Sequence, residues 1–398
     1  MSPKNYSLMT VILCWSGLAV MSSLYVTIPL TTVFADIFGI SLTQAAASGS
    51  GFSVGFAIGC LIYGPLSEAY GRKLVIVIGL IALALLSLLL GIGIDNFIGI
   101  VILRSLQGAA AATFSPVALA YAVEMFPAEK RVTAIGFIST GFLVAGIVGQ
   151  VISSLVSHQY SWNAVFVMLA VVYTVTLLLV ITGLPKEESR PNTTNLWDSI
   201  QKIPSLFKQK NLVLSYVIAL VLLMSFVSMY TVLGNYLAGP DFGLSAQGIL
   251  YIRSVGVIGM LISPFAGRLV QRFGVRTVLR WGLGVAIAGL ASLGFGSSLA
   301  LVIVKSVFFV AGIAVSVPSL ISLIGQLGGT SRGIAVSVYT FILFAGTSIG
   351  PILSIRFMEW GSYTLTFLLL AIVLGTGLLA AILIRNESSL GSSSTKGT

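Results

Sequence analysis

Residues 64–73 read Gly-Pro-Leu-Ser-Glu-Ala-Tyr-Gly-Arg-Lys, and residues 267–276 read Gly-Arg-Leu-Val-Gln-Arg-Phe-Gly-Val-Arg. The two stretches share their glycine spacing and their basic end, and they begin 203 positions apart (64 to 267). Each follows a long apolar run, so each marks the same point in one of two repeats. Gly64 and Gly71 permit a tight turn and a close approach of the two flanking segments.

Three further landmarks recur at nearly the same offset, between 201 and 205 positions. The matched pairs are Arg104-Ser105 with Lys305-Ser306, Pro116 with Pro318, and Gly141-x3-Ala145-Gly146 with Gly346-x3-Gly350-Pro351. Two parallel repeats are typical of transporters, in which the substrate site lies between the halves near the middle of the bilayer.

The composition indicates a membrane protein. Of the 398 residues, 57% are apolar and only 8% are charged, and the mean hydropathy is +1.06. Soluble domains contain about 25% charged residues. A soluble core of this length cannot hide so much apolar surface, so the surplus must face lipid. This excludes a soluble enzyme, a secreted domain and a free nucleic-acid-binding protein.

Apolar runs long enough to cross the hydrocarbon as helices, about 20 residues each, occur twelve times. They are too long and too uniformly apolar for barrel strands. The sequence therefore predicts an all-α membrane protein of twelve transmembrane helices in two parallel six-helix repeats. The predicted spans are 9–33, 46–67, 74–94, 97–121, 132–156, 163–183, 211–237, 247–269, 277–296, 299–324, 333–355 and 363–384.

The basic residues predict the orientation. With a cytoplasmic N-terminus, 17 of the 21 Lys and Arg residues lie at the inner face, and Arg356 alone lies outside. We therefore expect a multi-pass protein of the cell membrane (inner or plasma membrane) with both termini in the cytoplasm. This bias also explains the net charge of +10 without any nucleic-acid partner.

The longest polar stretch divides the chain into an N-terminal six-helix bundle, residues 1–183, a cytoplasmic linker, 184–210, and a C-terminal six-helix bundle with a tail, 211–398. In the linker, apolar residues recur at helical spacing, which favours a short amphipathic helix on the inner interface. A plain linker with some helix is an equal alternative. The apolar residues are Leu196, Ile200, Ile203 and Phe207. The Ser/Gly-rich tail after Arg385 is expected to be disordered.

The stretch from Gly64 to Lys73 resembles the loop signature of the major facilitator superfamily, and Leu103-Arg-Ser-Leu-Gln-Gly-Ala-Ala-Ala111 resembles the fourth-span signature of its proton-coupled drug and metabolite antiporters. The resemblance covers essentially the whole chain. It departs from the pattern at Glu68, where the family usually has Asp, and in the fifth span, where Ala145-Gly146 replaces the usual Gly-Pro pair.

The loop motif predicts a conformational gate formed by Gly64, Glu68, Gly71, Arg72 and Lys73. Glu68 can pair with Arg72 or Lys73, or point at the cytoplasmic start of span eleven, where the helix dipole favours an anion. The alternative is that the two basic residues merely enforce the topology. Glycines in spans five and eleven allow close helix packing and bending. The predicted packing residues are Gly141, Gly146, Gly149, Gly346, Gly350 and Pro351.

Arg104, Arg253 and Lys305 lie about six or seven residues inside their spans, roughly 10 Å deep. None of the 11 carboxylates lies deep in a span. Intramembrane cations are expensive and tend to face a cavity, which favours an anionic or zwitterionic substrate. The alternatives are snorkelling to the interface, or, for Arg104, bonds to backbone carbonyls of a kinked span near Pro29. The resemblance adds Tyr25, Gln107, Tyr230 and Asn235, whose spans line the pathway in this superfamily; helix–helix packing is their alternative role.

These observations predict a secondary active transporter rather than an enzyme. We expect a proton-coupled exporter of a drug-like compound or small metabolite; the alternative is a facilitator or importer of a small solute such as a sugar. A helical membrane enzyme or lipid-handling protein is disfavoured because the spans contain no His/Asp/Glu cluster. No cofactor or metal site is expected, and no phosphate-binding loop for ATP occurs. The expected partners are a small-molecule substrate, protons and the lipid bilayer, and we expect a monomer.

Overall fold

The computed structural model describes residues 5–187, 201–295 and 298–384, and every regular element in these ranges is helical. Eleven helices there are long and apolar enough to cross a membrane. The 18-residue helix Val275–Ser292 is not among them, because Arg276 and Arg280 lower its hydropathy. With it, the described ranges contain twelve long helices in sequence. The predicted all-α membrane fold is confirmed.

The twelve helices are labelled α1 to α12 in chain order, and three of them consist of two segments. Their bounds are α1, Tyr6–Tyr25 and Thr27–Phe38; α2, Ala47–Tyr70; α3, Arg72–Ile92; α4, Phe97–Ala111 and Ser115–Met125; α5, Ala128–Gln159; α6, Trp162–Gly183; α7, Lys210–Ala238; α8, Ala246–Met260 and Ala266–Phe273; α9, Val275–Ser292; α10, Leu299–Leu327; α11, Arg332–Glu359; and α12, Tyr363–Leu383. Short helical turns at Leu42–Ala45, Ile203–Leu206, Ser263–Phe265 and Gly329–Ser331 connect them.

Proline marks each of the three interrupted helices. Pro29 lies in the first turn of the second segment of α1, Pro116 begins the second segment of α4, and Pro264 lies in the 3₁₀ turn within α8. A proline lacks the N–H that would bond the carbonyl four residues earlier, and its ring crowds that carbonyl. Backbone groups are therefore released from the helical pattern at these three places, within the depth of the membrane.

Most helices are longer than the apolar runs that predicted them. For example, α5 spans 128–159, whereas its apolar run covers 132–156. Hydropathy records only the part of a helix that crosses hydrocarbon, while the polar turns at each end continue into the headgroup region. Of the predicted linker helix, Leu196 and Ile200 lie outside the described residues, as does the tail; Ile203 begins a single helical turn that buries Leu206.

The two halves repeat the same packing. In the first half, α1 packs along α5, α2 along α4, and α3 along α6. In the second half, the equivalent pairs are α7 with α11, α8 with α10, and α9 with α12. Between the halves, α2 packs on α11, and α5 packs on α8 and α10. The internal repeat of the sequence is thus a repeat of the structure.

Glycines allow the closest of these contacts. A Cβ built on Gly141 of α5 would lie 2.5 Å from the carbonyl oxygen of Cys14, and one on Gly149 would lie 2.6 Å from that of Ser22, both on α1. In the second half, a Cβ on Gly346 of α11 would lie 2.5 Å from the carbonyl of Leu220 on α7. Backbones approach this closely only where no side chain intervenes.

The remaining predicted packing residues are Gly146, Gly350 and Pro351. Gly146 lies against the ring of Tyr25, at 3.4 Å from a built Cβ, and Gly350 faces the carbonyl of Met224 at 2.7 Å. Pro351 lies inside the continuous helix α11. The packing glycines of spans five and eleven therefore face the first helix of their own half.

We predict that Gly141→Ala destabilises the protein, because the added methyl group must push α1 away from α5. Overpacking of this kind typically costs about 1–3 kcal/mol. The measurement is thermal unfolding of the purified protein in detergent, which should show a midpoint several degrees lower. Gly375→Ala on α12 is the matched control, since nothing lies within 4 Å of its built Cβ; equal effects of the two variants would contradict the packing role.

Candidate functional site

The repeated loop motif places Arg72 at the first position of α3. Gly71 separates α2 from α3 with a φ of 101°, and its counterpart Gly274 separates α8 from α9 with a φ of 81°. Only glycine adopts such values without strain. The turn directs the Arg72 side chain back under the end of α2, where it is only 2% exposed.

The Arg72 guanidinium is held by groups from α2 and α4. Its Nη2 pairs with Oε1 of Glu124 at 3.1 Å, and its Nη1 donates to the carbonyl of Gly64 at 3.0 Å and to the hydroxyl of Ser67. Glu124 is itself only 12% exposed. A buried guanidinium is stable only when its charge and its donors are matched in this way.

The same group contacts the other half of the protein. A Cβ at Gly333, in the first turn of α11, would overlap Nη2 of Arg72. Arg332, the preceding residue, places its Nε 3.9 Å from Glu124 Oε1. A Cβ at Gly64 would overlap the Ser337 hydroxyl, one turn further along α11. We call Arg72, Glu124, Arg332 and Gly333 the cytoplasmic latch, because they join α3 and α4 to α11 at the ends of these helices that the basic residues predict to be cytoplasmic.

The pseudo-equivalent contact, between α5 and α8, contains no ion pair among the described residues. Gln271 Nε2 donates to the carbonyl of Glu129, and Thr140 Oγ1 donates to the carbonyl of Met260 at 3.3 Å. A Cβ on Gly136 would lie 2.5 Å from the carbonyl of Ser263. This side is neutral and closely packed, so the charged part of the closure is confined to one side.

Aromatic side chains meet above the latch, near the middle of the helices. The ring centroids of Phe56 on α2 and Phe344 on α11 are 4.6 Å apart in an edge-to-face arrangement. The contacts between the halves described here all lie at this level or nearer the ends of the helices that carry the two loop motifs. The arrangement is closed on that side, which the basic residues predict to be cytoplasmic.

The first residues of the linker form hydrogen bonds with the start of α3, which carries Arg72 of the latch. Glu187 accepts hydrogen bonds from the backbone N–H groups of Arg72 and Lys73 and so caps the N-terminus of α3. Lys73 Nζ donates in return to the carbonyls of Ile181, at 2.7 Å, and Leu184 at the end of α6. The interaction between α3 and α6 thus fixes the backbone that carries Arg72.

The predicted gate residues therefore occupy different positions. Gly64 and Arg72 form part of the interface with α11, Gly71 makes the turn, and Lys73 binds carbonyls of the first half. Glu68 is half-buried on α2. The acid that pairs with Arg72 is Glu124, which lies 52 residues away, so no short motif could have identified it.

Arg104 lies inside the first bundle and is fully buried. Its Nη2 donates to the carbonyl of Ser23 at 2.7 Å, and its Nη1 donates to the Ser23 hydroxyl at 3.1 Å and to Gln107 Oε1. The guanidinium carbon lies 4.5 Å from the ring centroid of Phe52. Ser23 precedes the break in α1 that Pro29 causes, so Arg104 satisfies polar groups at a kinked span.

The other predicted polar residues are spread over the molecule. Gln107 is fully buried and donates to Ser87 Oγ at 2.6 Å. Tyr25 is half-buried and packs on Gly146. Asn235 lies at the outer end of α7, where its side chain donates to the carbonyl of Thr231 at 2.9 Å.

Arg253 and Lys305 take different environments in the second bundle. Arg253 lies between α7 and α8, where its Nη2 donates to the carbonyl of Tyr230 at 2.7 Å, and its guanidinium carbon lies 5.9 Å from the Tyr230 ring centroid. Lys305 Nζ donates to the carbonyl of Phe295, in the turn that follows the end of α9 at Ser292. The structure therefore does not bring Arg104, Arg253 and Lys305 together at one site.

Comparison with known families identifies the chain. The Major Facilitator Superfamily profile matches residues 13–326 and 241–397, which together cover nearly all of it. The chain belongs to the Major Facilitator Superfamily. The family assignment from the loop and fourth-span motifs is thus confirmed, and the protein is a multi-pass membrane transporter of a small-molecule substrate.

Relatives within the superfamily agree in length and fold. The chain is 27% identical to the inner membrane transport protein YnfM of Escherichia coli over 380 residues, 93% of this chain and 90% of that protein. It is 25% identical to a bicyclomycin resistance protein homolog of Haemophilus influenzae over 253 residues, 62% of each chain. The superfamily transporter FucP, solved in the outward conformation, matches with a TM-score of 0.77 at 15% identity, covering 95% of this chain and 98% of FucP.

We predict that Glu124→Gln weakens the cytoplasmic latch of this superfamily transporter. The substitution removes the carboxylate that pairs with the buried guanidinium of Arg72 at 3.1 Å, and hydrogen bonds to charged groups contribute about 1.5–3 kcal/mol. The reactivity of a cysteine introduced at Ser337 towards an impermeant thiol reagent, added to inside-out membrane vesicles, should rise by tenfold or more.

Glu129→Gln is the matched control, because it removes a cytoplasmic carboxylate that forms no ion pair with another described residue. An equal rise in this control, or no rise with Glu124→Gln, would show that the Arg72–Glu124 pair does not close the pathway.

Proposed function

We propose that this transporter is a proton-coupled exporter that moves a drug-like compound or a small metabolite by alternating access. The observation that supports the proposal is the cytoplasmic latch, in which a buried ion pair of the first half is packed against α11 of the second. A contact of this kind has two discrete states, formed or broken, as alternation between outward and inward access requires.

The two moving bodies are proposed to be the six-helix sets at residues 1–183 and 211–398, joined by the linker at 184–210. The repeated packing within each set supports this division, since α1 with α5 and α7 with α11 form tight internal contacts. Each half then moves as a unit when the latch opens. We place the protein as a monomer in the inner or plasma membrane, with both termini in the cytoplasm.

Export is supported by the fourth-span motif around Arg104 and by the similarity to a bicyclomycin resistance protein homolog. Proton coupling is supported by the resemblance of the same motif to those of proton-coupled antiporters. The absence of a phosphate-binding loop from the sequence leaves an ion gradient as the energy source, at about 2.3 kcal/mol per charge per 100 mV.

For the substrate, Arg253 supports recognition of an anionic or zwitterionic group. One of its terminal nitrogens, Nη2, is bound to the Tyr230 carbonyl, whereas Nη1 forms no hydrogen bond with any described residue. The phenol ring of Tyr230 and the neighbouring Phe226, whose ring centroids are 5.1 Å apart, supply apolar surface beside this charge. This pairing suits a compound with an apolar body and one acidic group.

The direct test of coupling uses purified protein in liposomes with bicyclomycin and a panel of anionic, neutral and cationic compounds. We expect at least one compound to move in the direction opposite to the proton flow that the imposed gradient drives. The movement should stop when an uncoupler collapses the gradient. Equal movement with and without the gradient would instead identify a facilitator. Accumulation on the side towards which protons flow would identify an importer, and either result would overturn the proposal.

We predict that Arg253→Gln reduces transport of an anionic compound more than that of a neutral analogue of the same shape. A loss of about 1 kcal/mol of charge attraction corresponds to about fivefold in affinity. Lys305→Gln is the matched control, because its ammonium group binds a backbone carbonyl in the turn that follows α9. Equal losses for the two compounds in Arg253→Gln would show that the guanidinium serves structure rather than recognition.

A further inference from the structure

The cytoplasmic ends of α8 and α9 carry an unusual concentration of arginine. Arg268 and Arg272 are one helical turn apart on α8, and Arg276 and Arg280 are one turn apart on α9. Residues four apart lie on the same face of a helix. We call these four residues, together with the exposed rings of Phe265, Phe273 and Trp281, the inner arginine face.

Aromatic contacts connect the parts of this face that lie on α8 and on α9. The guanidinium carbon of Arg272 lies 5.2 Å from the ring centroid of Phe273, and that ring lies 4.9 Å from the ring of Trp281 at the start of α9. Arg268 lies 5.6 Å from the ring of Phe265. The rings of Phe273 and Trp281 thus link α8 to α9 beside Arg272, and the ring of Phe265 lies beside Arg268.

The charges on this face have no carboxylate partner among the residues that the structure describes. Among the described residues, no ion pair includes any of the four arginines. In the first half, Arg72 has Glu124, but the equivalent positions in the second half are Val275 and Gln326, and Gln271 replaces the acid of the loop motif. Of the two basic residues of the first motif, only Lys73 has a basic counterpart, Arg276, and both carboxylates are replaced by glutamine.

The face lies at the depth of the lipid headgroups. Trp281 is 52% exposed, and exposed Trp side chains concentrate at the membrane–water interface. Phe265 and Phe273 are 53% and 39% exposed. Arg280 donates to the carbonyls of Ala381, at 3.1 Å, and Ile382 at the cytoplasmic end of α12. The face is therefore bounded by α8, α9 and α12, on the outside of the bundle.

We propose that the inner arginine face binds the headgroup of an anionic phospholipid of the cytoplasmic leaflet, with Arg272 and Arg276 contacting its phosphodiester. Guanidinium groups match phosphate oxygens in charge and geometry. The exposed rings beside them offer apolar surface to the glycerol and upper acyl chains, which a free phosphate ion does not have. Arg280 donates to backbone carbonyls of α12 and lies at the edge of the proposed site.

This site adjoins the interface between the halves. Gly267 and Gln271 face Thr133 and Glu129 of α5, on the neighbouring side of the same short helix that carries Arg268 and Arg272. A bound lipid would therefore contact the C-terminal half directly beside the neutral part of the closure. The inference concerns lipid binding and is independent of the transported substrate.

The test is native mass spectrometry of the delipidated, intact protein titrated with phosphatidylglycerol. For the double variant Arg272→Gln/Arg276→Gln, we expect at least a fivefold lower occupancy of the first bound lipid than in the wild type. Arg272→Lys/Arg276→Lys retains the charge and should keep most of the binding. The matched control is Lys208→Gln/Lys210→Gln, which removes two exposed cytoplasmic cations at the start of α7; its binding should equal that of the wild type.

Three results would overturn the proposal. One is an equal loss in the two glutamine double variants, which would indicate general electrostatic attraction. The second is equal binding of phosphatidylcholine by the wild type, and the third is competition by inorganic phosphate at millimolar concentration, which would indicate a free-anion site. Circular dichroism of each variant verifies that the helical fold is unchanged, and the lysine variant keeps the test valid if the glutamine variant unfolds.

Discussion

The closure of this transporter depends on the buried guanidinium of Arg72. This group is bound by Glu124 and by the carbonyl of Gly64 within the first half, and it lies against the backbone of Gly333 in the second. A charge at this depth is stable only while all its partners are in place. The latch is therefore sensitive to small displacements of α11, as a switch between two access states must be.

The two halves share a fold but differ in how they use charge. Both have a glycine of positive φ at the loop motif and the same pairing of helices. The first half uses its arginine and its acid to hold α11. The second half closes against α5 through an amide, a hydroxyl and glycines, and its arginines lie on the outer, membrane-facing side. The ion pair between the halves and the exposed arginines thus belong to different repeats.

Much of the fold could be predicted because lipid imposes a simple rule on sequence. Apolar length and an internal repeat were enough to predict twelve helices, and the resemblance of the loop and fourth-span motifs was enough to predict the family. The ends of α5 could not be predicted from hydropathy, because its helical turns continue into the headgroup region. Pro29 and Pro116 occur at helix breaks, whereas Pro318 and Pro351 lie in continuous helices, so tertiary contacts rather than proline alone decide where a helix is interrupted.

The site was less predictable than the fold, since its contacts join residues that are distant in sequence. The pairing of Arg72 with Glu124 spans two helices, and the contact with Gly333 spans the two halves. The depth of Arg104 and Lys305 was evident from the sequence. Bonding of Arg104 to backbone carbonyls of a kinked span was one predicted alternative, and its contact with the Ser23 carbonyl agrees with it. The attachment of Lys305 to the Phe295 carbonyl depends on helix rotation, which a span's composition does not encode.

The central claim is that contact between Arg72 and the bare backbone of Gly333 holds the cytoplasmic side closed. It is tested most directly by electron–electron distance measurements between spin labels at Ala128 and Gln326, at the cytoplasmic ends of α5 and α10, in a cysteine-free background. The account predicts one short distance in the wild type and in Gly375→Ala, and a second, longer distance in Gly333→Ala, whose methyl group displaces the guanidinium. An unchanged short distance in Gly333→Ala would contradict it.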